Sequence, residues 1–292
     1  MQLTLTSPVV QSYIVYSAVL ALKLLFMSAL TAATRLTKGI YANPEDAKTL
    51  GGKVKYDDAR IERIRRAHLN DLENIPAFWV LAALYVTTGP VAAWATLLFR
   101  IFTLGRIIHT VVYAIIPLPQ PARGLAFGIP MLTLFYMGSQ VILYYITLSN
   151  PVLQSYIVYS AMLALKLLFL SSLTSLTRLA KGVFANPEDA KTFGGKVKYD
   201  DASVERIRRA HLNDLENIPA FWVLGALYVT TGPYELFATF LFRIFTLSRI
   251  MHTLVYAIYP LPQPARRIAY RTSLLILCYM GVQVTIYYAT AM

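Results

Sequence analysis

Cysteine is almost absent from the 292 residues: Cys278 is the single one. That excludes an internal disulfide framework and a site built from several cysteines. Histidine is scarce as well, with four in the chain. His68 and His109 lack companion ligands at metal-binding spacing, so no metal is expected. Charged residues make up 14% of the chain, and acidic ones number 15 against 27 basic, a net charge of +12. Apolar residues make up 57% and the mean hydropathy is +0.52, which is a poor fit to a water-soluble domain. The positive surplus would suit nucleic acid. However, the basic residues cluster in loops and at the ends of apolar runs, where membrane orientation and anionic lipid explain them. No nucleic-acid partner is expected. A cleavable signal peptide is not expected either, because the first apolar run lacks a charged leader and is long enough to stay as an anchor.

What is present is repetition. ERIRRAHLNDLENIPAFWVL occurs at Glu62 to Leu81 and again, unchanged, at Glu205 to Leu224. Lys23 and Lys166, His68 and His211, and His109 and His252 all stand 143 residues apart. The chain therefore reads as a tandem duplication, with a first unit at 1–149 and a second at 150–292.

Each unit carries four apolar runs, and about 20 helical residues cross roughly 30 Å of hydrocarbon. In the first unit these fall near 9–34, 62–88, 92–116 and 124–146. Asn43-Pro44 marks a turn, and Glu45 and Asp46 suit the positive start of a short helix. Pro76 is expected to kink the second span. The predicted fold is an all-α integral membrane protein: two tandem four-transmembrane-helix bundles, eight spans, as parallel repeats. The segment Arg35 to Arg66 holds nine Lys/Arg, whereas the loop near Gly89 holds none. The positive-inside bias therefore puts the first and third loops in the cytosol and both termini opposite.

Several polar groups recur at membrane depth. Arg63, Arg66, Asn70 and Glu73 share one helical face, as do Arg106, His109 and Tyr113. Arg35 and Arg123 sit at neighbouring helix ends. Such groups are costly in lipid and point to a site. Four arginines beside one carboxylate leave a positive surplus that asks for an anion, and arginine forks suit carboxylates. Glu73 suits an ammonium. A zwitterion with two carboxylates and one amine satisfies the pattern, and glutathione is such a molecule. Its thiol would ionise more readily beside arginines, and the thiolate is the nucleophile. The plainer alternative is an ion-pair lattice internal to the bundle. Lys23, Lys166, Arg100 and Arg243 are expected to serve structure within it, and the AsnProGluAsp turn is expected to combine a structural role with Asp46 and Asp189 positioning an arginine.

ArgArgAlaHisLeuAsnAspLeuGluAsn (Arg65 to Asn74), AlaAsnProGluAsp (Ala42 to Asp46), ArgIleIleHisThrValValTyr (Arg106 to Tyr113) and ProLeuProGlnProAlaArg (Pro117 to Arg123) together resemble the membrane-associated eicosanoid and glutathione metabolism family. The resemblance covers each unit nearly end to end. It implies four-helix units that assemble in threes, with glutathione bound between neighbours near the cytosolic face. It also implies that Arg35, Arg66, Asn70, Glu73, Arg106, His109 and Tyr113 line the glutathione site. The second-unit counterparts are Arg178, Arg209, Asn213, Glu216, Arg249, His252 and Tyr256, joined by Tyr270, which stands where the first unit has Phe127. Arg123 and Arg266 match the thiolate-stabilising, catalytic arginine.

The match is not uniform. Leu69 and Leu212 replace an arginine, and Gly124 and Arg267 a serine, of the prostaglandin-forming members. Ala47 and Ala190 replace a cysteine through which conjugating members are activated. The resemblance implies a membrane glutathione transferase acting on lipophilic electrophiles, with peroxidase activity on lipid hydroperoxides and a role in detoxification. It implies residence in the endoplasmic reticulum (microsomes) or the mitochondrial outer membrane, and assembly with further copies. A prostaglandin E synthase-like isomerase and a non-catalytic lipid-binding scaffold stay open beside it.

Overall fold

The computed structural model describes residues 4–289. Helix α1 (Pro8–Lys38) starts with proline in its first turn, where no backbone N–H is missed. It stops at Gly39, whose positive φ of 58° returns its N–H to the last carbonyls. Strand β1 (Ile40–Tyr41) pairs in parallel with β2 (Lys53–Val54) around α2 (Pro44–Leu50). Helix α2 carries the expected Glu45 and Asp46 in its first turn. Helix α3 (Ala59–Thr87) runs through Pro76 without a break. Helix α4 (Ala92–Thr110) ends in a π-helical turn, Val111–Ile115, and α5 (Ala122–Tyr145) closes the first repeat.

The second repeat follows the same order: α6 (Pro151–Ala180), β3 (Val183–Phe184), α7 (Pro187–Thr192), β4 (Lys196–Val197), α8 (Ala202–Thr230), α9 (Glu235–Thr253) with the π turn Leu254–Ile258, and α10 (Ala265–Ala289). Asp201 caps α8 by accepting from the N–H of Ser203 and Val204, and Asp58 does the same ahead of α3 for Arg60 and Ile61. Both carboxyls are held below the usual carboxylate range. At Asp58 the hydrogen bond from Lys38 does most of this; at Asp201 it is the N–H of Val204.

Among the described residues, six helices are long and apolar enough to cross a membrane: α1, α4 and α9 with their π turns, α5, α6 and α10. The chain is thus a multi-pass membrane protein. Helices α3 and α8, counted as spans from the sequence, are not among the six, because charged residues fill their first halves. Exposed Leu22, Leu25 and Phe26 on α1 form a surface that suits lipid rather than water.

Counted over the described residues, two compact units form. One comprises residues 4–75, Gly89–Thr133 and Ala185–Val197; the other comprises Pro76–Thr88, Leu134–Phe184 and residues 198–289. The first unit therefore includes the AsnProGluAsp turn of the second sequence repeat. In it, Ser12 and Thr96 join α1 to α4 at 2.8 Å, and Met27, Ile64, Ala67 and Ala114 pack together. In the second unit, Leu170, Ile207, Ala210 and Ala257 form the matching cluster, and Phe221 stacks on Phe245 with ring centres 4.4 Å apart.

In lipid, apolar burial alone does not drive helices together, so close packing and polar contacts must do so. Gly105 is one such contact, since a Cβ there would lie 2.1 Å from Pro130 Cγ. The second repeat changes both partners, to Ser248 and Ser273.

Candidate functional site

The deepest polar group in each repeat is an aspartate that the sequence reading did not single out. Asp71 is fully buried and accepts from Arg106 Nε at 3.1 Å and Nη2 at 2.7 Å, and it pairs with Lys23. Asp214 accepts from Arg249 Nε at 2.9 Å and Nη2 at 2.6 Å, and it pairs with Lys166. Lys23 and Lys166 thus serve structure, as expected of them. Arg106 and Arg249 are also fully buried, and each donates from Nη2 to Asn70 or Asn213 at 2.7 Å. These two arginines hold the stripe on α3 and α8 in place from behind. Arg100 and Arg243 bond tyrosine hydroxyls, Tyr16 at 3.0 Å and Tyr159 at 3.2 Å.

In front of that aspartate, the remaining candidates of the second repeat converge. A cavity of about 500 Å³ is walled by Arg209, Asn213, Glu216, His252, Tyr256, Arg266 and Tyr270, together with Leu212, Gln263 and Arg267. Arg178 and Arg249 are not in its wall. The π turn that closes α9 carries Tyr256, whose ring stacks on His252 at 5.3 Å. The Arg266 guanidinium lies 5.7 Å over the same tyrosine ring, a cation–π placement. Its Nε is buried with no hydrogen-bond partner among the described residues. Three arginines face one carboxylate in this wall, so the cavity carries a positive surplus.

The first repeat presents the same set with an occupant. Arg123 Nη2 donates to Asp189 Oδ1 at 2.6 Å, and Gln120 Nε2 donates to the same oxygen at 3.1 Å. Asn186 Nδ2 donates to the Tyr113 hydroxyl at 3.0 Å, and Arg66 Nη2 donates to Asn186 Oδ1 at 3.2 Å. Arg63 Nη2 binds Glu188 Oε1 at 2.6 Å. His109 stacks on Tyr113 at 5.3 Å, and Arg123 sits 5.7 Å over that ring. Asn70 donates to Glu73 at 3.2 Å, and Arg35 is half-buried at the end of α1. The AsnProGluAsp turn of the second repeat therefore delivers two carboxylates to the arginines of the first. Its counterpart, Asn43 to Asp46, is exposed throughout, and among the described residues the Asp46 carboxylate accepts only from Asn43, at 3.2 Å.

Comparison with known proteins agrees with this twofold layout. The MAPEG family matches residues 13–143 and again residues 156–286. Microsomal glutathione S-transferase 1 of Sus scrofa is 50% identical over 117 residues, 38% of this chain and 75% of the relative. The protein of the same name from Rattus norvegicus is 47% identical over 124 residues, 41% of this chain and 79% of the relative. Prostaglandin E synthase of Bos taurus is 38% identical over 139 residues, 47% of this chain and 90% of the relative. With nearly its whole length covered by two copies of the family pattern, the chain belongs to the MAPEG family.

Proposed function

We propose that this chain is a membrane-bound glutathione transferase, and the observation that carries the reading is the second-repeat cavity. Arg209 and Arg266 supply cationic donors for anionic groups of a ligand, and Glu216 supplies an acceptor for an ammonium. Glutathione has that set of groups, and a cavity of about 500 Å³ is of the size that takes a small ligand. The buried, unpartnered Nε of Arg266 is the donor a thiolate would use. Favouring the anion over the neutral thiol raises the fraction of nucleophile at neutral pH. Arg123 plays the same part in the first repeat. The likeness to relatives named as glutathione transferases supports the same reading.

With an aryl halide the chemistry balances simply. The sulfur–carbon bond forms, the carbon–halogen bond breaks, halide leaves, and the thiol proton goes to water. With a lipid hydroperoxide the same sulfur would take the terminal oxygen as the O–O bond breaks, leaving the lipid alcohol, and a second glutathione thiol would convert the resulting sulfenic acid to the disulfide with release of water. The stack of buried His252 on half-buried Tyr256 shapes the wall beside Arg266.

On this reading α3 and α8 count as the remaining spans, their apolar halves inside the bilayer and their polar halves at its cytosolic boundary. The membrane is that of the endoplasmic reticulum. A further copy supplies the exposed turn Asn43 to Asp46 to the second-repeat cavity, as Asn186 to Asp189 is supplied to Arg123 within the chain. Conjugation of a chromogenic aryl halide by the purified protein with glutathione tests the assignment. Glutathione binding without turnover would favour a non-catalytic scaffold.

A further inference from the structure

The two repeats are near copies, so the places where they differ around the site carry information. Gly124, Phe127 and Gly128 on α5 correspond to Arg267, Tyr270 and Arg271 on α10. Arg267 and Tyr270 line the cavity. Arg271 follows one turn after Arg267 on the same helical face, and both arginines are exposed. Neither makes a side-chain ion pair among the described residues.

Packing does not dictate the difference. A Cβ at Gly128 would have nothing within 4 Å, and one at Gly124 would meet only the tip of Gln120. Two cations have therefore been placed where the fold is indifferent to side-chain size.

Further along the same helix lies a second, apolar cavity of about 470 Å³. It is lined by Leu277, Cys278, Gly281 and Val282 of α10 and Leu224 of α8. Helices α8 and α10 thus contribute to both cavities, the polar one at the start of α10 and the apolar one deeper. From Arg271 to Val282 the helix rises roughly 16 Å. A cationic mouth above an apolar groove matches an acidic amphiphile: carboxylate at the mouth, hydrocarbon tail below.

We propose that Arg267 and Arg271 form a carboxylate-binding site, specific to the second repeat, that selects long-chain acids as electrophilic substrates. The inference rests on the glutathione-transferase reading of the adjoining cavity. With an enone acid the step balances. The thiolate sulfur bonds the β-carbon, the C=C π pair shifts to the α-carbon, and that carbon takes the proton released by the thiol. The carboxylate keeps its charge throughout.

The test compares a long-chain enone acid with its methyl ester, in wild type and in Arg267→Gly/Arg271→Gly, which restores the first-repeat residues. An exposed arginine–carboxylate contact is worth about two- to fivefold. Two such contacts multiply, so the acid-to-ester ratio of kcat/KM should fall about four- to twenty-fivefold. Arg267→Gln/Arg271→Gln should reproduce the fall if the glycines destabilise α10. Equilibrium binding of palmitate, which cannot be alkylated, should weaken by a similar factor and does not depend on turnover. If palmitate binding shifts while neither enone reacts, the transferase reading fails and the carboxylate site stands. Equal losses for acid and ester, an unchanged ratio, or an effect that appears only in nanodiscs containing anionic lipid would overturn the proposal, the last outcome marking the arginines as headgroup anchors.

Discussion

Replacing Asp214 by asparagine removes one negative charge from between two buried cations. The carboxylate is fully buried. It holds Arg249 through two hydrogen bonds, at 2.9 and 2.6 Å, and also pairs with the nearly buried Lys166. At an effective dielectric of 20, a charge pair near 2.6 Å attracts by about 6 kcal/mol before desolvation is counted. Removing one partner of a buried pair typically costs about 3–5 kcal/mol, because the charges left behind stay out of water. At about 2–4 °C per kcal/mol for large domains, Asp214→Asn should lower the melting temperature by about 6–20 °C. Tryptophan fluorescence of detergent-solubilised protein at matched scan rates reads this out, since unfolding of such a chain is expected to be irreversible.

Lys181→Met is the control. Its pair with Asp201 is at 3.2 Å and the lysine side chain is 41% exposed, so the shift should stay below about 2 °C. A second arm replaces all three charges, as Lys166→Met/Asp214→Leu/Arg249→Met. Removing a whole ion cluster in favour of packed apolar groups is often neutral, so most of the melting temperature should return. Activity should not return, because Asn213 loses the Arg249 donor that holds it at 2.7 Å. If Asp214→Asn melts no lower than the Lys181→Met control, the ion cluster does not hold the second repeat together and the argument fails.

Arg123→Ala with Arg266→Ala should lower kcat far more than glutathione affinity, since stabilisation of the thiolate grows as charge develops; equal losses in both would assign the arginines to ground-state binding. Glu216→Gln should weaken glutathione binding about tenfold while leaving the ligand-free melting temperature within about 2 °C, because among the described residues Glu216 bonds only Asn213, at 3.5 Å; a sharp drop in melting temperature would restore the internal ion-pair lattice. N-ethylmaleimide should not activate the enzyme, because Ala47 and Ala190 offer no thiol and Cys278 lies on α10 in the apolar groove; a several-fold rise in activity would contradict this. In an Asp46→Cys/Gln263→Cys/Cys278→Ala protein, oxidation should cross-link two chains on a non-reducing gel; a disulfide confined to one chain would refute the exchange of turns between copies.

Much of this arrangement is legible in the sequence, and the gaps have physical reasons. The stripe Arg66, Asn70 and Glu73 was visible because its charges interrupt an apolar pattern at helical spacing. Asp71 was not singled out, although Ile64, Ala67, Asp71, Asn74 and Phe78 recur at intervals of three and four and are all buried. A carboxylate on that seam, in a chain with Lys23 in the middle of an apolar span, is the counterion that an intramembrane lysine needs. Arg106 and Arg249 read as ligand contacts for the same reason: until Asp71 and Asp214 are placed beside them, their charge has no partner.

The destination of the AsnProGluAsp turn could not be read at all. Both repeats carry the same turn, at Asn43 and Asn186, and the same residues to receive it, Arg66, Tyr113 and Arg123 or Arg209, Tyr256 and Arg266. Identical turns and identical receiving residues make pairing within a repeat, between repeats and between chains equivalent in sequence. Only the fold breaks the degeneracy, by seating Asp189 on Arg123 while the Asp46 carboxylate reaches no arginine among the described residues. One turn used and one unused, against one receiving site filled and one open, is the signature of a heterologous contact. Such a contact repeats from copy to copy until a rotation closes it. Duplication has thus turned one self-complementary pattern into two unequal sites, and the differences at Arg267, Tyr270 and Arg271 fall on the open one.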